Sequence, residues 1–259
     1  MSSELCVGLP CFNEEANLQK LIEEIAEVQP TARIVVVDDG SSDSTAAIAD
    51  DMAKTHNVVV LRHGPNRGLA EAMRTLLTWA AESLPPDAYF VAMDADRTHR
   101  PEQIAELVAK ADAGADLVVA GRYLDASTTV GVPPFRKLLS VGARFVSRLL
   151  LGDLVARDVS CGYRLYRVEL IQRALAGYGD QLIVSPGFSV NLELLAKLVK
   201  IGAKVDQVPL RLRYDLKGGE SKIRIVRTVL QYLKLIIHLT LTKPAPTGTL
   251  PPKDTESGR

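Results

Sequence analysis

The sequence predicts an open α/β fold built on a mixed, mainly parallel sheet with helices on its faces. Short unbroken runs of aliphatic residues alternate with amphipathic helical stretches, and polar clusters follow the apolar runs directly. Strands covered on both faces read as continuous apolar runs rather than as an alternating pattern. In such sheets ligands bind outside the carboxyl ends of the strands, where the polar clusters fall.

Taken in order, Leu5 to Leu9 is a strand and Pro10 to Asn13 a loop. Leu18, Leu21, Ile22 and Ile25 follow at helical spacing. Ile34-Val35-Val36-Val37 is a buried strand ending in Asp38-Asp39-Gly40, and Ser41 to Ser44 offer caps to a helix running through Met52. Val58 to Leu61 is a third strand, and Pro65-Asn66-Arg67-Gly68 leads into a helix from Leu69 to Ser83. Tyr89 to Met93 is a fourth strand, stopping at Asp94-Ala95-Asp96; Pro101 opens another helix and Leu117 to Ala120 is a further strand.

The second half is less regular. Helices are expected over Arg136 to Leu151 and Ser189 to Ile201, a strand over Val205 to Leu212, and an amphipathic helix over Ile223 to Leu241. The division expected is one domain over 1–243 and a disordered tail over 244–259, rich in Pro, Thr, Gly and charge. No internal repeat is present.

Lys+Arg and Asp+Glu both number 31, so the overall balance gives no support to polyanion binding, and nothing suggests nucleic-acid stacking. Three cysteines without a C-x-x-C argue against a disulfide scaffold or structural zinc and suit a reducing compartment. The opening Met1-Ser2-Ser3-Glu4 lacks the regions of a secretory signal, and no unbroken run of about 18 apolar residues occurs. No G-x-G-x-x-G follows the first strand and no P-loop occurs, which removes the main signals of dinucleotide oxidoreductases and P-loop enzymes.

Two carboxylates one residue apart at a strand end, Asp94 and Asp96, can face one hard divalent cation, which usually shares them with substrate phosphates. A solvated turn or a helix cap would look the same. Asp38-Asp39-Gly40-Ser41 can accept hydrogen bonds from a nucleobase or ribose, or can be an ordinary capped turn. Between 136 and 151, Arg136, Ser140, Arg144 and Arg148 form a basic stripe beside an apolar face, fit for a bilayer interface or for the surface of a soluble domain. Val229 to Leu239, broken by Gln231, Lys234 and His238, reads as an interfacial helix or a docking surface for a membrane subunit.

Pro10-Cys11-Phe12-Asn13-Glu14, Asp38-Asp39-Gly40-Ser41, Asn66-Arg67-Gly68 and Asp94-Ala95-Asp96, in that order, resemble the successive motifs of family 2 glycosyltransferases with the GT-A fold. Gly121-Arg122-Tyr123, Arg136-Lys137-Leu138-Leu139-Ser140, Ser160-Cys161-Gly162-Tyr163-Arg164 and Gly219-Glu220-Ser221-Lys222 resemble the polyprenol-phosphate sugar transferases, the group of the dolichyl-phosphate mannose synthases. The resemblance runs from Leu5 to Leu241.

It implies a nucleotide-sugar site of Pro10, Phe12, Glu14, Val37, Asp39, Asp94, Ala95, Asp96, Arg122 and Lys222. It further implies Mg²⁺ or Mn²⁺ held by Asp94 and Asp96, catalytic roles for Asp96, Arg122 and Lys222, and a lipid phosphate met by Arg136 and Ser140. The family's usual metal-shell Gln falls on Thr98, and the Arg it carries six residues before the Lys falls on Leu216, with Lys217 beside it; a lysine makes no bidentate fork. His99 lies in the family-like Asp-x-x-His-x-Pro run and is expected to shape the loop.

The activity implied is transfer of a sugar, mannose from GDP-mannose first among them, to a polyprenyl monophosphate with inversion. The setting implied is cytoplasmic and peripheral, on the cytoplasmic face of a membrane, with a separate anchoring subunit as a possible partner. The alternatives are a family 2 transferase with a soluble acceptor and a nucleotide-sugar-binding subunit that regulates a membrane partner.

Overall fold

The computed structural model describes residues 3–122, 124 and 158–211. Among these, seven strands form one sheet: β1 (Leu5–Cys11), β2 (Arg33–Asp38), β3 (Val58–Arg62), β4 (Tyr89–Ala92), β5 (Leu117–Gly121), β6 (Arg164–Arg167) and β7 (Val205–Pro209). Their order is β3-β2-β1-β4-β6-β5-β7. β6 runs antiparallel to both of its neighbours and every other pairing is parallel. Six helices accompany them: α1 (Leu18–Val28), α2 (Thr45–Thr55), α3 (Leu69–Ser83), α4 (Ile104–Asp112), α5 (Val168–Tyr178) and α6 (Val190–Lys200).

The expected strands and helices of the first half all form, with ends within three residues of those expected. In β2 every residue from Ile34 to Asp38 is buried, and in β5 every residue is. Successive side chains point to opposite faces, so consecutive burial means that both faces are covered. Helix α1 buries Leu18, Leu21, Ile22 and Ile25, the spacing of a single stripe. The helices fall into two packed groups: α1 lies beside α2 and beside the short 3₁₀ turn Pro101–Gln103 that begins α4, while α3 lies beside α5 and α5 beside α6.

Two elements were not expected, β6 and α5. Strand β6 is four residues long and carries Arg at both ends, so nothing in Arg-Leu-Tyr-Arg reads as a buried strand. Arg164 is nonetheless fully buried, with its guanidinium donating to the carbonyls of Cys161, Val159 and Asn191 at 2.7–2.9 Å. Strand β7 ends at Pro209, three residues short of the expected Leu212. The helices expected over 136–151 and 223–241 and the tail over 244–259 lie outside the described residues. No helix among the described residues is long and apolar enough to cross a membrane.

Gly8 shows how tightly the sheet carries its helices. A Cβ at this position would overlap the Phe90 ring and come within 3.1 Å of Leu76 Cδ2, both fully buried. Gly8→Ala is therefore expected to cost about 1–3 kcal/mol by overpacking. A fall in the urea midpoint at unchanged slope is the measurement that checks it.

Candidate active site

The carboxyl ends of β1, β2, β4 and β5 carry the candidate residues. Pro10 and Val37 are register partners across β1 and β2, and Cys11 faces Asp38 in the same ladder. Phe12 follows β1 with 37% of its surface exposed, one of two large apolar side chains so placed among the described residues. The loop after β1 is fastened to the loop after β2. Asn13, in the left-handed region at φ 55°, donates its backbone N–H to Ser41 Oγ and accepts the Ser42 N–H at 2.8 Å. The Glu14 N–H donates to Thr45 Oγ1 at 2.8 Å, and the Glu14 carbonyl accepts the N–H groups of Asn17 and Leu18 as α1 begins.

Asp39 is buried and organises the loop after β3. Its carboxylate accepts the N–H of Arg67 at 2.9 Å and of Gly68 at 2.7 Å, while His63 Nδ1 donates to Oδ1 at 2.6 Å. The far nitrogen of His63 shares a hydrogen bond with Thr75 Oγ1 on α3. Gly40, at φ 71°, sits so close to this loop that a Cβ would lie 2.6 Å from the Asn66 nitrogen. The Asn66-Arg67-Gly68 cluster is thus drawn to the Asp38-Asp39-Gly40 cluster by hydrogen bonds that the sequence did not foretell.

At the end of β4, Ala95 is buried while Asp94 and Asp96 are half-buried. The Asp94 N–H donates to His99 Nδ1 at 3.1 Å, and the buried His99 ring stacks on Tyr163, with centroids 4.9 Å apart. Tyr163 in turn donates its hydroxyl to the Arg100 carbonyl at 2.8 Å. His99 therefore shapes the loop, as expected. Thr98 donates both its N–H and its hydroxyl to Asp96 Oδ1, at 3.1 and 2.6 Å. Asp94 and Asp96 offer a donor set of hard carboxylate oxygens, which fits Mg²⁺ or Mn²⁺. Among the described residues no group of three or more His, Cys, Asp or Glu is placed to hold a metal, so a cation here would need oxygens from its ligand as well.

Arg122 closes β5 and is gripped by Asp158. Its Nε and Nη2 donate to the two carboxylate oxygens at 2.6 and 2.9 Å, and Nη2 also donates to Ser160 Oγ at 2.5 Å. Burial by itself would raise the Asp158 carboxyl, but the hydrogen bonds and charge of Arg122, with the N–H groups of Arg122 and Ser160, outweigh it and hold the group below the usual carboxylate range. A depressed folded-state value contributes stability above the unfolded pKa, and that stability is lost as pH falls through the folded one. Asp158, Ser160 and Asn191 were not singled out as site residues, though Ser160 stands in a quoted motif. Asp158 had only an acidic residue two places before that motif as its signal. Lys222, Arg136, Ser140 and Lys217 lie outside the described residues.

The three cysteines are buried and unpaired. Burial pushes the Cys6 and Cys161 thiols up to about 12 and raises Cys11 well above the ordinary value, so none is poised as a nucleophile.

The sequence profile of glycosyl transferase family 2 matches residues 6–175, two thirds of the chain and all the motif clusters up to Arg164. The chain belongs to glycosyltransferase family 2. It is 33% identical over 219 residues to polyprenol monophosphomannose synthase of Mycolicibacterium smegmatis, covering 84% of this chain and 80% of that one. It is 31% identical over 240 residues to dolichol-phosphate mannosyltransferase of Pyrococcus furiosus, covering 91% of this chain and 63% of the longer relative. Undecaprenyl-phosphate mannosyltransferase of Micrococcus luteus is 30% identical over 218 residues, 83% of this chain and 85% of that one.

Among solved structures, glucosyl-3-phosphoglycerate synthase of Mycobacterium tuberculosis superposes with a TM-score of 0.61 at 20% identity, over 92% of this chain and 79% of that one. That crystal holds Mn²⁺, UDP and glucosyl-3-phosphoglycerate, and another crystal of the synthase holds Mg²⁺ and UDP. At that identity the likeness establishes the GT-A fold alone. The expected family, fold and enzyme class are all borne out: this is a glycosyltransferase.

Proposed function

We propose that this glycosyltransferase moves mannose from GDP-mannose to a polyprenyl monophosphate, with inversion at the anomeric carbon. The observation that supports the acceptor class is the 33% identity to a polyprenol monophosphomannose synthase across 84% of the chain. Pro10, Phe12, Glu14, Val37 and Asp39 make the nucleoside side of the donor site. Asp94, Ala95 and Asp96 make the diphosphate side.

Asp94 and Asp96 would hold a divalent cation shared with the donor, and when bound it supplies Lewis-acid stabilisation of the leaving diphosphate. Arg122 directs N–H groups at phosphate oxygens, and Lys222 adds a point charge. Thr98, with its hydroxyl committed to Asp96, orients that carboxylate where the family more often has a longer amide. The acceptor phosphate is already ionised near neutral pH, so the site works chiefly by positioning and has no need of a strong base. Arg136 and Ser140 are assigned to the lipid phosphate, and the enzyme is read as peripheral at the cytoplasmic face of a membrane. A soluble hydroxyl acceptor would instead require a carboxylate base to deprotonate it.

The test is transfer of radiolabel from a panel of nucleotide sugars into organic-extractable lipid, with purified protein, polyprenyl phosphate in anionic vesicles, and Mg²⁺ or Mn²⁺. Label from GDP-mannose should enter the organic phase and should vanish with EDTA. Label recovered on a soluble acceptor, or only as free sugar, would displace the lipid reading, and no turnover with any donor would favour a regulatory binding subunit.

A further inference from the structure

We propose that Glu24 and Arg97 are positioning residues for cation binding: their ion pair holds Arg97 in a left-handed backbone conformation and so fixes the turn that presents Asp96. The proposal rests on the reading of Asp94 and Asp96 as carboxylates that hold a divalent cation. Arg97 stands between Asp96 and Thr98 with φ at 58°. Asn13 is the other non-glycine residue with a positive φ among the described residues, and the short polar side chain of asparagine suits that region. Arginine has no such local aid. Its Cβ crowds the following carbonyl there, so left to itself the residue favours negative φ. Strain of this kind persists only where the surroundings over-determine it.

Glu24 supplies that determination. Arg97 Nη2 donates to Glu24 Oε1 and Nε donates to Oε2 at 3.4 Å, a two-pronged grip that sets the plane of the guanidinium. The Arg97 side chain is 16% exposed, so the grip is partly sheltered from water. Glu24 stands on α1, which is anchored by the buried Leu21, Ile22 and Ile25 and lies beside the Pro101–Gln103 turn that follows the loop. The two Thr98 bonds to Asp96 Oδ1 are internal to the turn and would travel with it. The grip on Glu24 ties the turn to a packed helix. Were Arg97 to return to negative φ, the chain would leave Asp96 in another direction, and only a fraction of molecules would keep the carboxylate in place. Apparent affinity falls in proportion to that fraction.

Glycine separates this role from the alternatives. GDP binding to the full chain is measured by calorimetry in excess Mn²⁺ and in EDTA, with UDP in parallel, and the ratio of the two affinities gives the cation's contribution. The wild-type ratio should be well above one. Glu24→Ala and Arg97→Ala should each cut it about fivefold. Arg97→Gly should stay within about twofold of wild type, because glycine takes positive φ about as readily as negative. Adding Arg97→Gly to Glu24→Ala should restore the ratio to the same level. A pair acting on the cation only through charge would treat alanine and glycine alike, and a pair serving only the fold would lower the unfolding midpoint and leave the ratio alone. An unchanged ratio in either alanine variant, a glycine variant as impaired as its alanine counterpart, or no recovery in the double variant overturns the proposal. If Arg97→Ala shows no cooperative unfolding transition, Glu24→Ala and its double variant with Arg97→Gly decide. A wild-type ratio of one would instead remove the underlying reading of Asp94 and Asp96, and the proposal with it.

Discussion

Asp96→Asn is expected to lower sugar transfer at least a hundredfold while leaving the fold in place. The carboxylate receives the Thr98 N–H and hydroxyl on a single oxygen, Oδ1. An asparagine carbonyl can accept both of those bonds, so the turn after β4 keeps this local support when the charge is removed. In a site that stabilises charge on a leaving diphosphate, removing one preorganised electrostatic partner typically costs about 10²–10³ in turnover. A half-buried residue with its local hydrogen bonds preserved should move stability by under about 0.5 kcal/mol, which shifts the unfolding midpoint by less than about 2 °C. Radiolabel transfer and thermal unfolding by circular dichroism check the two halves separately. Wild-type turnover would sink the assignment of Asp96 to the diphosphate side of the site. Lost turnover accompanied by a large fall in midpoint would mean that the charge itself holds the loop.

The strand ends that carry the candidate residues were legible because a strand buried on both faces leaves an unmistakable apolar run, and polar residues directly after it have few places to go. Pro10, Val37, Asp39, Asp94 and Arg122 could therefore be placed at one edge of the sheet before any coordinates. What could not be read was which of those polar groups face a ligand and which are committed to the protein. Asp39 looked like a base-reading carboxylate, yet it receives two backbone N–H groups and His63. Arg122 was assigned to the donor diphosphate, yet its guanidinium is also committed to Asp158, 36 residues further along the chain. Such pairings are long-range in sequence and leave no periodic trace. Strand β6 was invisible for a related reason: Arg164 is satisfied by three carbonyls that converge only in the folded chain, so a residue type that normally marks a surface occupies the core.

Helix α6 carries the same lesson to its largest expected effect on stability. Glu193 and Lys197 stand four residues apart, the spacing of an ordinary surface helix pair worth a few tenths of a kcal/mol. Here both are fully buried, with Lys197 Nζ 2.5 Å from Glu193 Oε1. Each also holds the chain between α5 and α6: Glu193 accepts the N–H groups of Val184 and Ser185, and Lys197 donates to the carbonyls of Gln181 and Leu182. Glu193→Ala would leave a buried ammonium without its counter-charge, which typically costs about 3–5 kcal/mol. Replacing both residues, as Glu193→Met/Lys197→Met, removes the charge imbalance and would be nearly neutral for a simple buried ion pair. It should not be neutral here. The Val184 and Ser185 N–H groups and the Gln181 and Leu182 carbonyls would lose their partners, and orphaned groups kept from water cost about 1–3 kcal/mol each. The double variant should therefore be less destabilised than the sum of the two single changes and yet clearly below wild type. Urea unfolding of the four proteins measures this directly. A double variant as stable as wild type would show that the 181–185 backbone finds water once the charged pair is gone, and that the pair serves helix α6 rather than the segment it contacts.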